Sequence, residues 1–284
     1  MKSARDIKRK INTIKSTQKI TGAMKMVAAA KLRRAQISMN TAKPYSEKIK
    51  NVVYDISKHI DDRQHPFLLA NGSENICVVL VTSDRGLCGA FNSNVIRKFT
   101  YFASDYKASH IKVITVGKSG FDSLKRKGFE IIKSYTTFAG RITYNDAVLI
   151  GKFITDLFIK QEIGTLYILY NEFKNVAYQT PVVFKLLPVE SISESTDKPV
   201  DFIYEPEPDK LINEIMPRYL NFLIYSKLLE SIAGEHGARM AAMDNATRNA
   251  GEMIESLTLY YNKIRQASIT MEILDIVNCA EALR

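Results

Sequence analysis

Two stretches at opposite ends of the chain keep a helical apolar repeat far longer than a globular domain needs, and this limits the possible folds more than any other feature. In the first, Ile7, Ile11, Ile14, Gln18 and Thr21 fall at alternating four- and three-residue steps, the spacing of a coiled-coil seam. The stripe then passes to Met24, Ala28, Leu32, Ala35 and Met39 with one shift, as at a stutter. Residues 1–58 hold one glycine, Gly22, and one proline, Pro44, so a single helix is expected there with a kink near Tyr45. At the helical rise it would run about 85 Å. At the other end, Phe222, Tyr225, Leu229, Ile232, His236, Met240, Met243, Thr247, Ala250, Ile254, Leu257, Tyr261, Ile264, Ser268 and Met271 continue a second seam. Its steps alternate three and four except at His236. A second helix is expected within 208–284, roughly 100 Å long, with Pro217 in its first turn.

The sequence between them has a different grammar. Ile76–Val81 is a short apolar run suited to a buried strand, and Ile111–Val116, Glu130–Tyr135, Thr165–Tyr170 and Val182–Leu187 are further strand candidates. Residues 90–107, 118–127 and 143–160 are helical in pattern and alternate with them. The expectation is a Rossmann-like α/β domain over 75–190 with a largely parallel sheet. Residues 190–208, rich in Ser, Asp, Glu and Pro, read as an exposed connection. Two long helices leaving one compact insert must run side by side and antiparallel. The fold class is therefore α/β, with a long two-helix coiled coil built from 1–58 and 208–284.

Charge is divided unevenly. Residues 1–58 carry fifteen Lys/Arg against three acids, whereas the other 226 residues hold 25 basic and 27 acidic groups. A positive block of this kind suits nucleic acid, an acidic protein surface or a membrane headgroup layer. No run of about 18 apolar residues is present, and the N-terminus has no secretory signal pattern. Cys77, Cys88 and Cys279 are odd in number and form no C-x-x-C pair. A reduced compartment is expected, without a disulfide framework or zinc site.

Gly117-Lys118-Ser119 follows a strand like the end of a phosphate-binding loop, but Lys112 stands where the leading glycine belongs. An ordinary strand-to-helix turn is expected instead. Ser83–Asn92 offers two glycines, a thiol and an Asp84/Arg85 pair after the first strand, where α/β folds place ligands. With no histidine nearby to act as base, it reads as a tight turn held by Asp84 and Arg85. His236 reads as a polar spacer opposite Gln18 or Thr21, and Glu235, Asp244 and Glu252 as solvated or partner-facing. No catalytic group, metal set or cofactor site is expected. Small residues fill Ala233–Gly251 and Gly22–Ala30. They suggest helices in close approach, a thin rod able to sit inside something acidic or slide past it.

Several of these stretches resemble one family. Thr17–Lys31, the Ser83–Gly89 turn, Tyr204-Glu205-Pro206, Ser231–Ala246 and Tyr261–Asp275 are similar to the gamma subunits of rotary F-type ATP synthases. The likeness covers essentially the whole chain, although Cys279-Ala280 stands where Gly-Ala is usual. It implies a rotor shaft without a catalytic site of its own. Its coiled coil would fill the axis of a hexamer of alpha and beta subunits, and its α/β domain would sit with the epsilon subunit on the membrane ring of c subunits. Ion flow through that ring would drive the beta subunits through their conformations in ATP synthesis, or the reverse. Carried over position by position, the resemblance implies beta-subunit contacts at Met24, Lys25, Arg239, Gln266 and Thr270, and c-ring contacts at Tyr204 and Glu205. It implies that Arg239→Ala and Gln266→Ala impair coupled turnover and leave the isolated fold nearly unchanged. It places the protein peripherally on the cytoplasmic face of a bacterial membrane, which it touches only through the c ring.

Two other readings were weighed. A nucleic-acid binder with a basic arm fits the charge, but the insert lacks an aromatic-studded basic surface. A nucleotide-dependent enzyme lacks the phosphate loop and catalytic groups.

Overall fold

The computed structural model describes residues 4–57, 65–107, 110–136, 142–189, 205 and 207–282. The first helix, α1, spans Ala4–Ser57, and the last, α5, spans Pro208–Ala282. Between them follow a 3-10 turn at Pro66–Leu68 and then β1 (Ile76–Val81), α2 (Phe91–Ala103), β2 (Ile111–Val116), α3 (Lys118–Arg126), β3 (Ile131–Tyr135), α4 (Tyr144–Ile159), β4 (Thr165–Phe173) and β5 (Gln179–Leu187). The chain divides into two compact units, Met1–Ala28 with Met240–Arg284, and Ala29–Arg239. The cut falls inside both long helices rather than at their ends.

In the larger unit the strands lie in the order β3-β2-β1-β4-β5. The first four are parallel, and β5 runs antiparallel to β4. Every residue of β1 is buried, as the central strand of a sheet covered on both faces must be. Pleating sends alternate residues to opposite cores. Cys77, Val79 and Val81 join α4, the Ile49–Val53–Ile56 stripe of α1, and Ile212, Met216, Leu220, Ile224 and Leu228 of α5. Ile76, Val78 and Leu80 join Val95 and Phe99 of α2 and Leu124 of α3. The inner part of each long helix is thus a layer of the α/β unit. The hairpin strands β4 and β5 each extend three residues past the apolar pattern, because Asn171, Glu172 and Phe173 pair in register with Pro181, Thr180 and Gln179.

Pro217 does not open the last helix but lies within it. Pro208 holds the first-turn position that the missing N–H favours. A proline ten residues in forgoes one backbone hydrogen bond. Its neighbours Met216, Tyr219 and Leu220 are buried in the core, which keeps the helix in place around it. Pro44 likewise lies inside α1, and the next residue, Tyr45, packs its ring 4.6 Å from that of Phe222.

In the smaller unit the two helices run antiparallel: Thr21 meets Thr247 at 2.8 Å, and four residues on, Lys25 meets Asp244 at 2.6 Å. Ile7, Ile11, Thr21 and Ala28 are buried on one side, and Met243 and Ala250 on the other. Ile14, Gln18, Ile254, Leu257, Tyr261 and Ile264 are partly covered. The expected seam continued to Met271, but it ends at Ile264. Every residue from 265 to 280 is exposed.

The glycines answer the thin-rod expectation unevenly. A side chain at Gly22 would meet nothing within 4 Å, whereas one at Gly251 would press on Gln18 at 3.2 Å. Gly234 and Gly237 admit the α/β unit instead of another helix. Their missing Cβ atoms would lie 3.3 Å from Phe91 and 3.2 Å from Phe173.

Candidate interaction site

The turn after β1 is built from the inside. Asn92, in the first turn of α2, accepts from the Ser83 backbone N–H at 2.9 Å and donates to the Ser83 hydroxyl at 2.7 Å, and that hydroxyl donates to the Arg85 carbonyl at 2.7 Å. These bonds set the turn around Leu87 and Gly89, both at positive φ. Asp84 and Arg85 form no ion pair with each other. Asp84 instead accepts from the Lys118 N–H at 3.0 Å, and Arg85 acts through its carbonyl.

That bond also settles Gly117-Lys118-Ser119. The first amides of α3 are all taken, Lys118 by Asp84, Ser119 by the Ser83 carbonyl and Gly120 by the Thr82 hydroxyl. Gly117 sits at φ +100, where an added Cβ would run into the Thr82 carbonyl. The glycine serves a close strand-to-helix turn with no amide left for phosphate.

Arg239 of α5 clasps this turn. Its guanidinium donates to the Arg85 carbonyl at 2.9 Å and the Gly86 carbonyl at 3.3 Å, and pairs with Glu235 at 2.6 Å. The Arg239 and Glu235 side chains are only 12% and 15% exposed, so the pair is largely desolvated. Burial raises the Glu235 carboxyl above its usual range, against the pull of Arg239. His236 is buried, with Nδ1 3.3 Å from Arg239 Nη1. Burial, then Arg239 and Lys31, lower its pKa to about 4, so the ring is neutral. Since Arg239 can only donate, Nδ1 accepts and Nε2 carries the proton. His236 does not face Gln18 or Thr21, whose partner is Thr247. Lys31, Asp84, Arg85, Lys118 and Asp122 join these residues around a recess of about 560 Å³ at the carboxyl ends of the first strands. Its wall mixes both signs of charge.

The remaining expected contact residues fall in different surroundings. Lys25 is tied to Asp244, which also meets Arg248 at 3.2 Å, and the Lys25 hydrogen bond holds the Asp244 carboxyl below its usual range. Met24 is half-buried beside it. Neither Glu235 nor Asp244 is a free solvated acid, whereas Glu252 is exposed. Gln266 and Thr270 are exposed, with the Thr270 hydroxyl returned to the Gln266 carbonyl at 3.0 Å. Around them Ile269, Met271, Ile273, Leu274, Ile276 and Val277 stand 47–69% exposed. Glu205 is exposed, and Tyr204 lies outside the described residues. Sequence reasoning named the Ser83–Asn92 turn and Asp244 but not the Asn92–Ser83 and Lys25–Asp244 bonds, whose partners are distant in the chain. Among the described residues no group of three or more His, Cys, Asp or Glu is placed to hold a metal ion. No helix among them is long and apolar enough to cross a membrane.

A parallel-rich α/β sheet between two long helices whose ends pair antiparallel is a fold shared with chains of ATP synthase rotors. The same fold occurs in a chain of the Euglena gracilis mitochondrial ATP synthase OSCP/F1/c-ring (TM-score 0.70, 18% identity, 99% of this chain and 94% of that one). It occurs again in the rotor of that enzyme (TM-score 0.67, 21% identity, 94% and 98%). The family model described as ATP synthase matches residues 3–283. The ATP synthase gamma chain of Pelagibacter ubique is 45% identical over 98% of both chains, and that of Pelotomaculum thermopropionicum 43% identical over 100% of both. The chain belongs to the ATP synthase gamma chain family.

Proposed function

We propose that this chain is the central rotor shaft of an ATP synthase, coupling ion flow through the membrane c ring to conformational cycling of catalytic beta subunits. One observation carries the reading. Residues 265–280 form a helix exposed at every position, with six large apolar side chains around it. An isolated helix of this kind is marginal in water. Exposure at every position, with large apolar side chains over more than half of the helix circumference rather than in one narrow stripe, fits a surrounding sleeve better than a single docking partner. The alpha and beta subunits would form that sleeve. Within it Gln266 and Thr270 present polar groups to beta, and Met24 and Lys25 contact beta further along. Arg239 contributes to the beta contact by shaping the recess beside the Ser83–Asn92 turn, since its own guanidinium is committed within the chain. The epsilon subunit and the c ring would meet the α/β end, with Tyr204 and Glu205 at the ring.

In this reading the chain catalyses nothing itself. The α3 amides are occupied, and the turn after β1 presents no nucleophile with a base. The ends of the two long helices pair with each other, their inner parts belong to the α/β unit, and the protein lies peripherally on the cytoplasmic face of a bacterial membrane. The mechanical content is that an asymmetric surface, turned inside a ring of bistable partners, favours a different state in each as it passes.

The test is direct. Tyr101, 71% exposed on α2, is replaced by cysteine and Cys279 by alanine, leaving only the buried Cys77 and Cys88. A bead attached at position 101 of an assembled complex held by its alpha and beta subunits should turn in one direction when ATP is supplied. ATP turnover with the bead stationary overturns the proposal.

A further inference from the structure

The sheet face opposite the long helices carries a feature that the rotor reading leaves unused. Between α2 and α3 runs a shallow groove of about 510 Å³, walled by Arg97, Arg126 and Lys127 and floored by Ser119 and Ser123. No acidic residue lines it. Arg97 donates to the Asn94 side-chain oxygen at 2.9 Å, Arg126 to the Asp122 carbonyl at 3.1 Å, and Lys127 to the Thr100 hydroxyl at 2.7 Å. None of the three meets a carboxylate among the described residues, so each keeps an uncompensated charge and spare N–H groups.

The hydroxyls lean the same way. Ser119 accepts from Asn92 at 3.2 Å, which leaves its own proton to give, and Ser123 has no partner for its hydroxyl among the described residues. The groove is rich in donors and poor in acceptors, the complement of carboxylate oxygens. Outside residues 1–58 the chain is nearly neutral, so the clustering does not follow from a generally basic surface. Breadth and openness suit an extended segment rather than an enclosed small molecule.

We infer that the α2–α3 groove docks an acidic segment of a partner protein, one presenting two or three carboxylates along an extended stretch. Arg97 and Arg126 would grip carboxylates in paired hydrogen bonds, and Lys127 would act as a point charge. This surface is separate from the helix surfaces that the rotor reading uses, and the inference does not depend on that reading.

The experiment titrates the full-length chain with a fluorescein-labelled hexaglutamate peptide and reads fluorescence anisotropy. Binding by the basic 1–58 segment is controlled with Lys8→Glu/Arg9→Glu. The inference predicts that Arg97→Glu/Lys127→Glu weakens binding by about tenfold or more. Arg97→Gln/Lys127→Gln should weaken it less, and Lys8→Glu/Arg9→Glu by under about twofold. All substituted positions are exposed, so circular dichroism should remain unchanged. Equal loss in the α1 variant, or none in the α2–α3 variants, overturns the inference. Displacement of the peptide by equimolar inorganic pyrophosphate also overturns it, since that result marks a small-oxyanion site.

Discussion

The two parts of α5 obey different physics under one secondary structure. From Ile212 to Ala238 the helix is a layer of a folded core, with Met216, Ile224, Leu228 and Ala233 at no more than 0% exposure. From 265 to 280 every residue is exposed. In the first stretch, tertiary packing stabilises the helix and tolerates even Pro217. In the second, only intrinsic propensity holds it until something surrounds it. A residue's effect on folding and its effect on assembly should therefore separate along one helix.

The largest expected effect tests the packed part. Arg239→Ala leaves Glu235 buried without its cation and frees two carbonyls of the turn, which should lower the folding stability of the isolated chain by about 3–5 kcal/mol in urea denaturation. This corrects the expectation of an unchanged fold. The resemblance makes Arg239 a partner contact, but within the chain its guanidinium is held by the Arg85 and Gly86 carbonyls and by Glu235. Adding Glu235→Gln should recover part of the loss, and no recovery removes the ion pair from the account.

Next comes a matched pair of truncations. Leu228→Ala, at 0% exposure, should cost about 2–5 kcal/mol, while Leu274→Ala, at 54%, should leave denaturation of the isolated chain unchanged yet weaken assembly. Similar losses of stability in both would erase the contrast.

A smaller effect depends on pH. His236 binds its proton less readily folded than unfolded, so its contribution is complete above about pH 6.5 and lost as pH falls toward 4. Glu235, whose pKa is raised, runs the other way, losing stability as pH rises through its folded value. His236→Gln should flatten the stability profile between pH 4 and 6.5, and an unchanged slope would place the titration elsewhere. The smallest effect is expected at Lys25→Ala. The pair with Asp244 is solvated, and the melting temperature should not move.

Much of this architecture was legible because it rests on periodicity. The period-2 and apolar runs located all five strands, and the four–three seam marked Ile7, Ile11 and Ala28 as covered positions. Periodicity says which face is apolar, but not what covers it. For that reason the repeat extends past Ile264, where the residues keep the spacing but stand exposed. The same limit hid the clasp at Arg239 and assigned Gly234 and Gly237 to a helix pair rather than to Phe91 and Phe173. Asn92 holding Ser83, and Asp84 capping α3, are contacts across loops that no local pattern announces. The antiparallel addition of β5 onto β4 was blurred at Asn171 and Glu172 for a related reason, since polar residues at an edge hairpin break the apolar run.

Amide hydrogen exchange, followed in the isolated chain and in the assembled complex, tests the central claim most directly. Amides of residues 265–280 should exchange fast in the free chain and become strongly protected on assembly, while those of 212–238 stay protected in both. Equal exchange of 265–280 in the two states would contradict the claim that surrounding subunits cover this end of the helix.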